Sequence, residues 1–88
     1  MAWTIEHDKD AVADLKKLDR QTQREVVDHM EVRIAKAADP RAFGKPLRHS
    51  KFGLWRYRVR DYRIICEFRD TQLVVLVVAV GHRNRIYE

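Results

Sequence analysis

The sequence predicts a small α+β domain, a helical hairpin packed on one face of a mostly antiparallel sheet, in the order β-α-α-β-β-β. Three observations predict it. Apolar residues recur at helical spacing through residues 11–37, alternation or continuous apolar runs mark residues 54–80, and a short alternating stretch precedes both. With 88 residues the chain forms one domain over residues 1–88, because a chain this short supports a single core.

Trp3 to Glu6 alternates apolar and polar residues, the pattern of a short strand. Asp8 or Asp10 then caps a helix carrying Ala11, Val12, Leu15 and Leu18, with Lys16 and Lys17 near its end. A brief break at Asp19 leads into a longer helix whose apolar stripe is Val26, Val27, Met30, Ile34 and Ala37. Asp39-Pro40 ends it, since the residue before proline is pushed out of the helical region. From Arg41 to Gly53 the sequence predicts a basic loop. Three strands follow, Leu54 to Val59, Tyr62 to Phe68 and Leu73 to Val80, joined by connections short enough for antiparallel hairpins.

Composition narrows the class. Cys66 is the single cysteine, so there is no internal disulfide, and its place in Ile64-Ile65-Cys66 suits a small buried hydrophobe. No metal site and no cofactor are expected. The N-terminus shows neither a basic nor a long apolar export region, and the longest apolar run, Leu73 to Val80, is too short to span a bilayer as a helix. A cytoplasmic protein without a membrane partner is the expectation. Charge is unevenly placed: residues 1–40 carry seven Lys/Arg against nine Asp/Glu, residues 41–88 eleven against four. An anionic partner for the second half follows, nucleic acid first.

Alternation puts Trp55, Tyr57 and Val59 on one face of their strand, and Arg56 and Arg58 on the other. A two-residue turn at Arg60-Asp61 sets Arg58 opposite Arg63, with Tyr62, Ile64, Cys66 and Phe68 beneath the helices. Val74, Leu76 and Val78 would then floor the arginine side, and His82 would leave the sheet close to it. Like charges across a sheet repel. Such a group is either a solvated surface or an anion site, and the planar guanidinium matches phosphate oxygens. Glu67 falls on the same face, as a base or as an ion pair limiting repulsion. His7, His29 and His49 show no cluster and are expected at the surface.

At these residues the chain resembles the RelE-like toxins of the RelE/ParE superfamily of type II toxin–antitoxin systems. The resemblance rests on Pro46-Leu47-Arg48, on Gly53-Leu54-Trp55-Arg56-Tyr57-Arg58-Val59, on Asp61-Tyr62-Arg63-Ile64-Ile65, and on Val80-Gly81-His82-Arg83 with Ile86-Tyr87. It implies a metal-independent endoribonuclease that cuts mRNA in the ribosomal A site by 2′-hydroxyl attack and so inhibits translation. It implies catalytic roles for Arg58, Arg63, Arg83 and Tyr87, the last stacking on a base or orienting the ribose. Arg56, Lys45, Arg48, Lys51 and Arg85 are the expected RNA-binding residues.

Two departures stand out. Lysines occupy the positions of Arg56 and Arg58 in the best-known RelE pattern, and several relatives carry a glutamate where this chain has Lys45. Arginine is a poor general base. His82 is therefore the acid or base candidate, the alternative being a local bond to a backbone carbonyl. The implied partners are an acidic RelB-like antitoxin, the ribosome and mRNA, with operator DNA bound through the antitoxin. Two other functions remain open: a ParE-like toxin that poisons DNA gyrase, and a non-catalytic RNA-binding module.

Overall fold

The computed structural model describes residues 2–48 and 53–84. Strand β1 (Thr4–His7) leads to helices α1 (Lys9–Lys16) and α2 (Arg20–Asp28), the latter continued by a π-helical segment, His29–Ile34. A 3-10 turn, Pro40–Phe43, precedes β2 (Lys45–Pro46), β3 (Trp55–Val59) and β4 (Tyr62–Arg69), and a second 3-10 turn precedes β5 (Val74–His82). The sheet order is β1-β5-β4-β3-β2, antiparallel except where β1 pairs with β5. The α+β architecture is the one expected, with one correction. Within the basic loop after residue 40, Lys45 and Pro46 pair with Arg56 and Trp55 as a fifth strand.

Local chemistry sets the helix starts. The Asp8 carboxylate, not that of Asp10, accepts the Ala11 N–H at 2.8 Å, and Asp19 does the same for Thr22 at 3.2 Å. Each satisfies one of the unpaired donors of a first helical turn. Val26, Met30 and Ile34 are fully buried. Four-residue spacing overruns an α-helical turn by about 40° per step. The wider π turn, closed by the Ala35 N–H on the Met30 carbonyl at 2.9 Å, keeps all three on one face. The helix thus ends near Ile34, earlier than Asp39-Pro40 predicted, and Pro40 instead opens the 3-10 turn with Asp39 as its cap.

The helical stripe packs on Tyr57, Ile64, Cys66, Val75, Val77 and Val80. Burial pushes the Cys66 thiol up, so it stays protonated and behaves as a small hydrophobe. His7 and His29 are not surface residues. Both are half-buried, and His29 lies edge-on to the Tyr57 ring at 6.2 Å.

One irregularity decides which way the end of β5 faces. Ile65 pairs with Ala79 but Cys66 pairs with Val77, so Val78 is an extra residue in β5. An inserted residue exchanges the two faces of a strand beyond it. Before the bulge Val75 and Val77 face the helices; after it Val80 and His82 do. Alternation without the bulge had placed His82 on the arginine side.

Candidate nucleic-acid interface

The β3–β4 hairpin gathers the arginines. Arg58 pairs directly with Arg63, and Arg56 with Ile65, while Tyr57 and Ile64 point to the helices. The turn is tight, with Arg60 at φ 52°. Arg60 then reaches back to α2, its Nε 3.1 Å from Glu25 and its Nη2 donating to the Thr22 hydroxyl at 2.9 Å. These contacts brace the hairpin tip on the helical layer. Arg58 Nε donates to the Arg60 carbonyl at 3.0 Å, which steadies its guanidinium.

The 3-10 turn and β2 build the opposing wall. Tyr57 is buried and its hydroxyl donates to the Pro40 carbonyl at 2.6 Å. Trp55 Nε1 donates to the Arg41 carbonyl at 3.2 Å. Arg41 stacks over Phe68, 4.2 Å from the ring centroid, and forms a fork to both carboxylate oxygens of Asp70 at 2.8 and 3.0 Å. Gly44 can lie here only because it lacks a side chain: a Cβ would sit 2.5 Å from the Arg56 carbonyl oxygen and under 3 Å from Trp55 and Tyr57. The turn is thereby pressed against β3.

Between the two walls is a cleft of about 460 Å³ lined by Ala42, Phe43, Gly44, Lys45, Arg56, Arg58 and Arg63. Partial burial lowers the pKa of Arg56, helped by the charges of Arg63, Arg48 and Arg58. Five basic residues expected from the sequence, Lys45, Arg48, Arg56, Arg58 and Arg63, are thus neighbours. Concentrated guanidiniums in a concave site raise the local attraction for phosphate.

The other candidates fall elsewhere. Arg83 lies in the turn after β5, its N–H on the Asp61 carbonyl at 2.7 Å and its guanidinium 3.8 Å from the Asp61 carboxylate. His82 pairs with Tyr62, meets its ring edge-on at 5.6 Å, and accepts the Asn84 N–H at Nδ1. It lines a second cavity, about 690 Å³, with Asp14, Lys17 and Leu18 on the helix side. That cavity is larger but sets the Asp14 carboxylate against the single lysine, Lys17, in its lining, so the arginine cleft is the better anion site. The expected position of His82 near the arginines is corrected, the cause being the bulge at Val78. Glu67 lies 3.5 Å from Arg69, as an ion pair. Lys51, Arg85 and Tyr87 lie outside the described residues.

Phe43 is the lining residue that sequence reasoning passed over. It is 50% exposed, and the Arg33 guanidinium lies 5.5 Å from its ring centroid. A large apolar residue flanked by glycine in a basic loop was the available signal. Among the described residues no group of three or more His, Cys, Asp or Glu is placed to hold a metal ion, and no helix is long and apolar enough to cross a membrane.

Comparison with known proteins places this geometry. The family model described as the ParE toxin of the type II toxin–antitoxin system parDE matches residues 5–87. No curated protein sequence matches the chain. Among solved structures, the RelBE2 toxin–antitoxin complex of Mycobacterium tuberculosis contains a chain 28% identical, with a TM-score of 0.85, covering 94% of this chain and 93% of that one. The intact E. coli RelBE complex gives 22% identity and a TM-score of 0.73, covering 92% and 96%. The RelE–RelB complex of Pyrococcus horikoshii gives 22% and 0.68, covering 98% and 100%. With a matched family model over nearly its whole length and a RelE fold around its arginine cleft, the chain belongs to the ParE toxin family and is a RelE-like toxin of a type II toxin–antitoxin system.

Proposed function

We propose that the protein is a ribosome-dependent endoribonuclease that cuts mRNA in the A site and so inhibits translation. The observation that carries this reading is the cleft in which Lys45, Arg56, Arg58 and Arg63 converge on one sheet face. In the reaction, the ribose 2′-oxygen attacks the adjacent phosphorus, the bond to the 5′-oxygen breaks, and a 2′,3′-cyclic phosphate and a 5′-hydroxyl result. Negative charge builds on the non-bridging oxygens as the 2′-oxygen approaches. Fixed guanidiniums stabilise it without reorganising at the moment of reaction. Arg58 and Arg63, paired across the hairpin, take that role, and Arg56 and Arg48 hold neighbouring phosphates.

A proton must leave the 2′-hydroxyl and another must reach the departing 5′-oxygen. Among the described residues lining the cleft, Lys45 is the side chain besides the arginines that can transfer a proton. It serves as the acid for the leaving oxygen, and the 2′-hydroxyl proton passes to solvent water. Arg83, which lies outside the cleft beside Asp61, reaches the phosphate by exchanging that carboxylate for it; Tyr87 acts on a base, and no metal ion takes part.

The partner is a RelB-like antitoxin. The comparable structures from M. tuberculosis, E. coli and P. horikoshii are toxin–antitoxin complexes. The strongly basic second half of this chain favours an acidic wrapping segment, with fast and salt-sensitive association. The complex binds operator DNA through the antitoxin.

Primer extension on a translated mRNA, with and without ribosomes, tests the activity. Cuts in A-site codons that need ribosomes and vanish in the Arg58→Glu, Arg63→Glu variant are expected. No cleavage by folded protein would sink the reading. The ParE description of the matched family favours gyrase poisoning as a second reading. It predicts accumulation of cleaved DNA–gyrase complexes and no RNA product.

A further inference from the structure

We infer that Phe43 is the base-stacking platform of the arginine cleft, so that the site grips a nucleotide by its phosphate and its base together. The inference rests on the nuclease reading and names a contact that reading does not contain. Phe43 and the cations Lys45, Arg56, Arg58 and Arg63 line one cavity of about 460 Å³, within the range of small-ligand sites. A nucleotide carries its phosphate and its flat base on the same ribose, so a cleft with cations on one part of its wall and an aromatic ring on another matches both ends.

Three features set the ring for this use. Its place in the chain is fixed, because Gly44 is pressed against the Arg56 carbonyl and Pro40 is held by the Tyr57 hydroxyl. A turn held in advance loses little backbone freedom on binding. Half of Phe43 is still exposed although Arg33 lies over the ring at 5.5 Å. A base stacked on the exposed side completes an Arg33–Phe43–base arrangement, which combines stacking with cation–π attraction. Every base has a π face, so the contact senses that a base is present and not which base it is.

The test uses a short single-stranded RNA with 2′-O-methyl sugars, which cannot be cut, and the same strand with one central base removed. Fluorescence anisotropy should show wild-type protein binding the intact strand about tenfold more tightly. Phe43→Leu should bind both strands alike while keeping the salt dependence set by the phosphate contacts. Phe43→Trp should keep the preference, and its fluorescence should be quenched by the intact strand beyond the quenching of Trp3 and Trp55 seen in wild type. Equal wild-type binding of the two strands, or a preference that survives Phe43→Leu, overturns the stacking role. If binding still collapses in Arg58→Glu, Arg63→Glu, the phosphate site stands without it. Failure of wild type to bind either strand overturns both.

Discussion

Arg58 stands directly opposite Arg63 across the β3–β4 pair, two like charges where a sheet ordinarily places complementary ones. Replacing either should therefore relieve the folded state while emptying the site. Arg58→Thr is expected to gain up to about 1 kcal/mol in urea denaturation, and to lose toxicity in a growth assay. A variant that is both less stable and fully toxic would contradict the assignment.

Tyr57→Phe removes the bond that holds Pro40 over the sheet. It should cost about 1 kcal/mol, more if the Pro40 carbonyl stays dry. RNA binding should weaken as well, because the same turn carries Phe43 and Lys45. Urea denaturation and anisotropy on one preparation would separate the two effects.

Gly44→Ala drives a Cβ into backbone and ring atoms that have little room to yield. A loss of roughly 1–3 kcal/mol is expected. The amide signals of Lys45 and Arg56 should shift together in NMR spectra as β2 moves away from β3. Unchanged signals would mean the turn is not clamped there.

Burial, and then the nearby Arg33 charge, lowers the pKa of His29 below its ordinary value. The unfolded chain then binds the proton more readily than the folded one. Stability is fully present above the unfolded value of about 6.5, and is lost as the pH falls through the folded one. Urea midpoints at pH 7.5 and pH 5 should differ less in His29→Phe than in wild type. An identical difference would show that His29 plays no part.

His82 faces the helices with Tyr62, away from the arginine cleft. His82→Gln should leave ribosome-dependent cleavage little changed, whereas Lys45→Met should slow it. The reverse result in primer extension would return the proton-transfer role to His82.

The sequence by itself determined the α+β class, the helical stripe of Val26, Met30 and Ile34, and the pairing of Arg58 with Arg63. Each is a local matter: periodicity sets which residues share a face, and a two-residue turn sets a hairpin register. Tertiary structure decided what depends on distant partners. Lys45 and Pro46 become a strand only because β3 offers them an edge, and Gly44 is needed only because that edge lies so close. Phe43 joins the cleft through the same docking. The bulge at Val78 lies within an unbroken apolar run, where no polar residue marks the register, so alternation alone carried His82 to the wrong face. A strand apolar on both sides leaves its register to packing, and there one extra residue turned the end of β5 over.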